Sequence, residues 1–403
     1  MVADTYPFDL TVRQLRQRTS AKWRAADPDV LPLWVAEMDV MPASPILEVL
    51  CDALGRGDTG YSYGSDYADA YAAFAADRWG FAGFDVARSA AVPDVMLGAV
   101  ELLKLVTGPG DAVVVTPPVY PPFYAFSEHL GRRVVEVPLT AERRLDLPAL
   151  AQKFAEVAAD GPAAFLLCNP HNPTGTVHTA EELAGVAVAA ESTGVRVVAD
   201  EIHAPLVLPG ATFTPYLSVP GAGRGFVLVS ASKGWNLPGL KAALAFAGAE
   251  AADDLARIPE EVSHGSSHLG VLAHTAALRH GREWLDEVLD GLGRNRALLA
   301  DLLAAHLPSA RWRPGAATYL AWLDFEGLPA LEALDGDGGP VRGDASARVG
   351  AAAWFLEHAR VLLSSGPAFG SGGERCARLN FATSTSLLTE AVERMGAAVA
   401  SVT

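Results

Sequence analysis

Apolar residues along this chain fall into short continuous runs separated by longer stretches of helical spacing. Seven runs stand out: Ser89–Val92, Ala112–Val115, Arg133–Val137, Ala163–Leu167, Val195–Ala199, Phe226–Val229 and Ala243–Ala247. Most are β-branched or apolar throughout, the pattern of strands covered on both faces. Between them, segments such as Val95–Thr107 and Thr179–Ser192 repeat apolar positions at helical intervals. Strands alternating with helices predict an α/β layer architecture around a mostly parallel sheet. Ligands of such sheets sit beyond the carboxyl ends of the strands. Asn169, Asp200 and Ser230 each come just after an apolar run, so one edge of the sheet is expected to gather them.

From about Val271 the pattern turns helical and runs through Trp284 and Arg294 to Leu307. Two further strand-like runs, Tyr319–Phe325 and Cys376–Phe381, flank a helical segment around Ser346–Ala359. These elements predict a second, smaller α+β domain. The expected division is an N-terminal arm over residues 1–45 that packs on the small domain, a large domain over 46–285 and the small domain over 286–403. Gly336–Gly343 is glycine-rich and reads as a flexible loop.

Composition narrows the class. Half of the 403 residues are hydrophobic and 19% are charged, enough for a large core. A net charge of −16 argues against a nucleic-acid partner, which needs a basic face. Cys51, Cys168 and Cys376 are far apart, so neither a disulfide framework nor a metal-type spacing follows. The first residues lack the basic start and apolar run of a signal peptide, and no apolar stretch approaches the ~20 residues that span a bilayer. A soluble, cytoplasmic protein that handles small molecules is expected.

Three segments carry chemistry: Ser230-Ala-Ser-Lys233, Asn169-Pro-His-Asn-Pro-Thr-Gly175 and Ala199-Asp-Glu-Ile-His203. A lysine amine condenses with an aldehyde. An aspartate can hold a pyridine nitrogen protonated, and an asparagine can hydrogen-bond the neighbouring ring oxygen. Those are the groups pyridoxal phosphate needs from a protein to act as an electron sink. Turn chemistry alone accounts for Asn169, and a capping turn after Thr179 accounts for Glu181 and Glu182. His264 and His268 are four apart, but Gly265-Ser-Ser lies between them and no third ligand is evident, so no metal site is expected.

With these segments the chain resembles the fold-type I pyridoxal-phosphate enzymes of the aminotransferase class I/II superfamily. Within it the resemblance is to the cystathionine β-lyase (C–S lyase) group of the MalY/PatB type. Its carriers are Arg18-Thr-Ser-Ala-Lys-Trp23, Leu31-Pro-Leu-Trp-Val-Ala-Glu-Met-Asp39, Gly60-Tyr-Ser-Tyr-Gly64 and Ser230-Ala-Ser-Lys-Gly-Trp-Asn-Leu-Pro-Gly-Leu240. The resemblance implies that Lys233 bonds the cofactor and then takes the substrate Cα proton. Asp200 pairs with the ring nitrogen, Asn172 bonds the ring oxygen, and Tyr120 stacks on the ring. His203 stands where many aminotransferases place a tyrosine, and the C–S lyase group also carries histidine there. Val95 and Met96 open a helix whose N-terminus suits the phosphate, joined by Ser230, Ser232 and Lys241. Many relatives carry an arginine at the position of Lys241. Tyr61 is expected to reach a neighbouring subunit's phosphate in a homodimer, and Arg378 to grip the substrate α-carboxylate. The implied reaction cleaves cystathionine or another S-substituted cysteine to a thiol, pyruvate and ammonia. The same machinery also suits an aminotransferase. A regulatory or binding protein is the reading these residues fit least.

Overall fold

The computed structural model describes residues 6–328 and 349–402. The glycine-rich run Gly336–Gly343 and the first residues of the predicted helix at Ser346 lie outside them. The chain starts with an arm that carries a short strand, β1 (Leu31–Pro32). A seven-stranded sheet follows, made of β2 (Ser89–Val92), β3 (Ala112–Val115), β4 (Arg133–Glu136), β5 (Ala163–Cys168), β6 (Arg196–Asp200), β7 (Phe226–Val229) and β8 (Ala243–Ala247), in the order β2-β8-β7-β6-β5-β3-β4. Pairing is parallel from β4 through β3, β5 and β6 to β7, while β8 runs antiparallel to both β7 and β2. The α/β architecture and the seven runs agree with the sequence pattern to within a residue at each end.

Strand periodicity explains how the sheet is held. Ala112, Val114, Phe165, Leu167 and Val197 join one core, whereas Val113, Val115, Ala164, Leu166 and Val198 join another. Successive side chains point to opposite faces, so a continuous apolar run feeds two cores at once. Helix Val95–Val106 covers one face against β6, β7 and β8, and helices Leu147–Asp160 and Ala180–Thr193 lie on β5 and β6. Thr179 and Glu182 form the reciprocal cap of the last of these helices, as their spacing predicts.

The larger core extends past the sheet into the arm and the C-terminal elements, through Trp23, Leu33, Leu320, Phe355 and Leu388. A 25-residue helix, Arg282–His306, packs along helix Thr385–Ala400. Beside it β9 (Arg311–Trp312), β10 (Leu320–Asp324), β12 (Ser364–Ser365) and β13 (Cys376–Asn380) form a four-stranded antiparallel sheet, and β11 (Val361–Leu362) pairs with β1. The arm bonds to both parts of the chain. Asn380 Nδ2 donates to the Val35 and Glu37 carbonyls, each at 2.7 Å. Asn236 accepts from Met38 N at 2.8 Å and donates to its carbonyl at 2.9 Å.

Candidate active site

The carboxyl edge of the seven-stranded sheet collects polar side chains for a topological reason. Strands β2, β3, β5, β6 and β7 all end there, delivering Asp200 as the last residue of β6 and Asp94, Tyr120, Asn172 and Ser230 from the segments that follow the others. Because β8 runs the other way, it starts at that edge and places Lys241 and Ala242 beside them. A cavity of about 380 Å³ opens at this edge, lined by Asp94, Val95, Met96, Tyr120, Asn172, Asp200, His203, Ser230, Ser232, Lys233, Lys241 and Arg378. Only Tyr61 among the sequence-predicted site residues is absent from it. Tyr61 is 81% exposed and rests near His264 at a ring separation of 5.4 Å.

Lys233 Nζ donates to the Ala36 carbonyl at 3.0 Å. Burial, then the Arg378 charge, pull its amine down to about 8. Asp200 accepts from Ile202 N at 3.1 Å, and burial pushes its carboxyl up to about 7 against the pull of Lys233. His203 is buried with Nδ1 unpartnered, and burial, Lys233 and Arg378 all hold it neutral. Burial lifts the Tyr120 phenol to about 12.

Arg378 is the most informative group on the cavity wall. Its Nη1 donates to Asn172 Oδ1 at 3.1 Å, and Nη2 to the Trp34 carbonyl at 2.9 Å and Ser364 Oγ at 3.1 Å. Its Nε has no partner. Burial drags its pKa down to about 10, and no carboxylate among the described residues pairs with it. A buried guanidinium without a counterion is an unfavourable arrangement that an incoming carboxylate relieves.

The end of the cavity where the sequence places a phosphate is more mixed. Lys241 Nζ sits 2.9 Å from Asp94, whose other carboxylate oxygen caps helix Val95–Val106 by accepting from Leu97 N. Ser230 Oγ donates its single proton to the Ala242 carbonyl at 2.8 Å and accepts from Ser232 N. Ser232 and the helix's first N–H groups therefore remain as the free donors there. Asn169 is buried and donates to Glu201 and the Thr214 carbonyl, tying three distant segments together. His268 bonds Asp58, and no metal-type cluster occurs among the described residues.

Sequence reasoning passed over Trp34, Ala36, Cys168, Ile202 and Ser364, which also line the cavity. Trp34 and Ala36 lie inside the quoted motif Leu31–Asp39, so the signal was present without a role attached. Cys168 and Ser364 carry no such signal.

Residues 63–395 match the family model for aminotransferase class I and II. This chain belongs to that family. A Mycobacterium leprae relative named "Putative cystathionine beta-lyase" is 58% identical over 394 residues, covering 97% of each chain. The "Cystathionine beta-lyase" of Corynebacterium glutamicum is 34% identical, covering 95% of this chain and 98% of that one. A solved structure from Corynebacterium diphtheriae, a "putative plp-dependent beta-cystathionase", superposes with a TM-score of 0.87 at 32% identity, covering 98% of this chain and 99% of that one. The fold is that of the fold-type I pyridoxal-phosphate enzymes.

Proposed function

We propose that this protein is a pyridoxal-phosphate-dependent carbon–sulfur β-lyase that cleaves cystathionine or another S-substituted cysteine to a thiol, pyruvate and ammonia. The observation that carries the reading is the uncompensated Arg378, fixed to Asn172 in the same cavity as Lys233 and Asp200. It is supported by the full-length similarity to proteins named for that activity. The unpartnered His203 Nδ1 and Arg378 Nε are the buried polar atoms expected where a polar cofactor and an acidic substrate belong.

When bound, the cofactor supplies an aldehyde for the substrate amine and a protonated ring that accepts the electron pair left at Cα. Asp200 would hold the ring nitrogen, Asn172 and His203 the ring oxygen side, and Tyr120 a ring face. Ser232, Lys241 and the N–H groups of Val95 and Met96 would hold the phosphate. Arg378, with its charge uncompensated and Nε unspent, would hold the α-carboxylate and thereby fix which Cα bond faces Lys233. Lys233 takes the Cα proton, and its lowered pKa keeps part of it neutral near pH 7. Tyr61 would complete the site of a partner subunit in a homodimer. A cytoplasmic location suits the chemistry, and no helix among the described residues is long and apolar enough to cross a membrane.

Borohydride reduction followed by peptide mapping should place the pyridoxyl group on Lys233. Purified enzyme given cystathionine alone should then release thiol, pyruvate and ammonia over many turnovers. A stall after one turnover, relieved by a 2-oxo acid, would assign amino transfer instead.

A further inference from the structure

Every carbonyl of the arm segment Trp34–Met38 is held by a side chain from elsewhere. Arg378 and Ser364 take Trp34, Asn380 takes Val35 and Glu37, and Asn236 takes Met38. The remaining one, Ala36, receives two donors: Lys233 Nζ at 3.0 Å and the Tyr319 hydroxyl at 3.0 Å. Asn236 is also three residues from Lys233 on the same loop and takes a left-handed φ of 56°. The loop that carries the lysine and the segment that receives its amine are therefore pinned to each other.

A carbonyl oxygen has two lone pairs, and here both are taken. Tyr319 is fully buried, spends its only proton on Ala36, and packs edge-on near His203 at 6.4 Å. It leaves Lys233 one direction of approach and excludes water from that oxygen. A neutral amine that donates one N–H in this direction has its lone pair aimed elsewhere, and Lys233 lines the cavity along with Asn172, Asp200 and Arg378.

We propose that the Ala36 carbonyl and Tyr319 form the docking point of the free Lys233 amine, making Tyr319 a positioning residue for proton removal from the substrate. The inference rests on the lyase reading. Once the substrate amine takes the place of Lys233 on the cofactor, the freed lysine is within reach of the Ala36 carbonyl. From the docking point its lone pair takes the Cα proton, the Cα–H electron pair stays with the substrate, and Nζ becomes an ammonium. Tyr319 touches none of the reacting atoms; it acts through Ala36.

The test is Tyr319→Phe in the full-length protein, which removes the hydroxyl and keeps the ring's packing. Tyr71→Phe is the control, since Tyr71 is equally buried and its hydroxyl has no partner. In cofactor-free protein the pH dependence of Lys233 acylation by acetic anhydride, read by mass spectrometry, reports the amine's ionisation without any turnover. Without Tyr319 the Ala36 oxygen offers a second acceptor site and admits water, so the acylation midpoint should rise by about one pH unit. Tyr71→Phe should leave it in place. Installing 3-fluorotyrosine at 319 strengthens that donor, so the midpoint should move the opposite way; this second variant keeps the fold. In the holoenzyme, Tyr319→Phe should keep the pyridoxyl attachment on Lys233, lower kcat about tenfold and enlarge the isotope effect with Cα-deuterated substrate. An unchanged midpoint and isotope effect in both 319 variants overturn the docking point. Pyridoxyl attachment at another lysine overturns the lyase reading itself.

Discussion

Asp200 and Glu201 are adjacent carboxylates at the end of one strand, and alternation sends them to opposite sides. Asp200 faces the cavity. Glu201 is sealed behind it, accepting from Tyr216 N at 2.7 Å and Asn169 Nδ2 at 3.1 Å, with its second oxygen unpartnered. Asp200→Asn keeps the shape and the bond from Ile202 but cannot hold a pyridine nitrogen protonated. It should retain cofactor on Lys233 and lower kcat about 100-fold or more; near-wild-type turnover would reduce Asp200 to a turn residue. For Glu201 the expectation concerns stability. Burial raises its carboxyl from 4.5 to about 8, so the folded protein favours the protonated form. The stability this confers is complete below pH 4.5 and is lost as pH rises toward 8. Glu201→Gln keeps one acceptor oxygen and removes the titration. Its denaturant midpoint should therefore change less than wild type between pH 5 and 8, and parallel profiles would show that Glu201 is ionised throughout.

Among the elements, the arm is the one whose packing has no local cause. Strand β1 is two residues long and cannot persist alone. Its position comes from β11 and from the buried amide of Asn380, which also accepts from Ala382 N at 2.8 Å. Removing that amide takes one donor from each of the Val35 and Glu37 carbonyls, which keep Glu37 N and Lys22 Nζ, and orphans Ala382 N; a buried orphan costs about 1–3 kcal/mol. Asn380→Ala should destabilise the fold by roughly 1–3 kcal/mol in denaturant titration. It should also expose the segment 31–39 to limited proteolysis, whereas an arm still protected would mean that the bonds from Arg378, Ser364, Asn236 and Lys22 suffice with the apolar contacts. The seven sheet strands behave differently. Most of their runs were legible because they are apolar at consecutive positions and feed both cores.

For the whole molecule, the surface around helix Ser44–Gly55 and the following loop is unusual. Met41, Leu47 and Leu54 are exposed there, and Tyr61 and Tyr63 are 81% and fully exposed. Scattered exposed apolar residues are ordinary, but this group coincides with the loop whose tyrosine the single chain keeps out of the cavity. A homodimer that covers it is the expected state. Sedimentation at assay concentration should give twice the 42.2 kDa chain mass, and Tyr61→Ala should weaken cofactor retention while leaving the dimer intact. Full activity in a monomer would remove any role for Tyr61 in a partner's site.

What the sequence determined by itself is the local and the chemical. Apolar runs, helix caps and the lysine, aspartate and asparagine motifs depend on neighbours a few residues away, so they can be read in one dimension. The tertiary structure decided everything that joins distant segments. Ala36 meets Lys233 and Tyr319 across 197 and 283 residues, and Arg378 meets Asn172 across 206. Ser230 Oγ donates to Ala242 rather than into the cavity. No periodicity records such contacts, because they arise only when β8 reverses direction, the arm crosses to the sheet edge and burial leaves each polar atom the partners within reach.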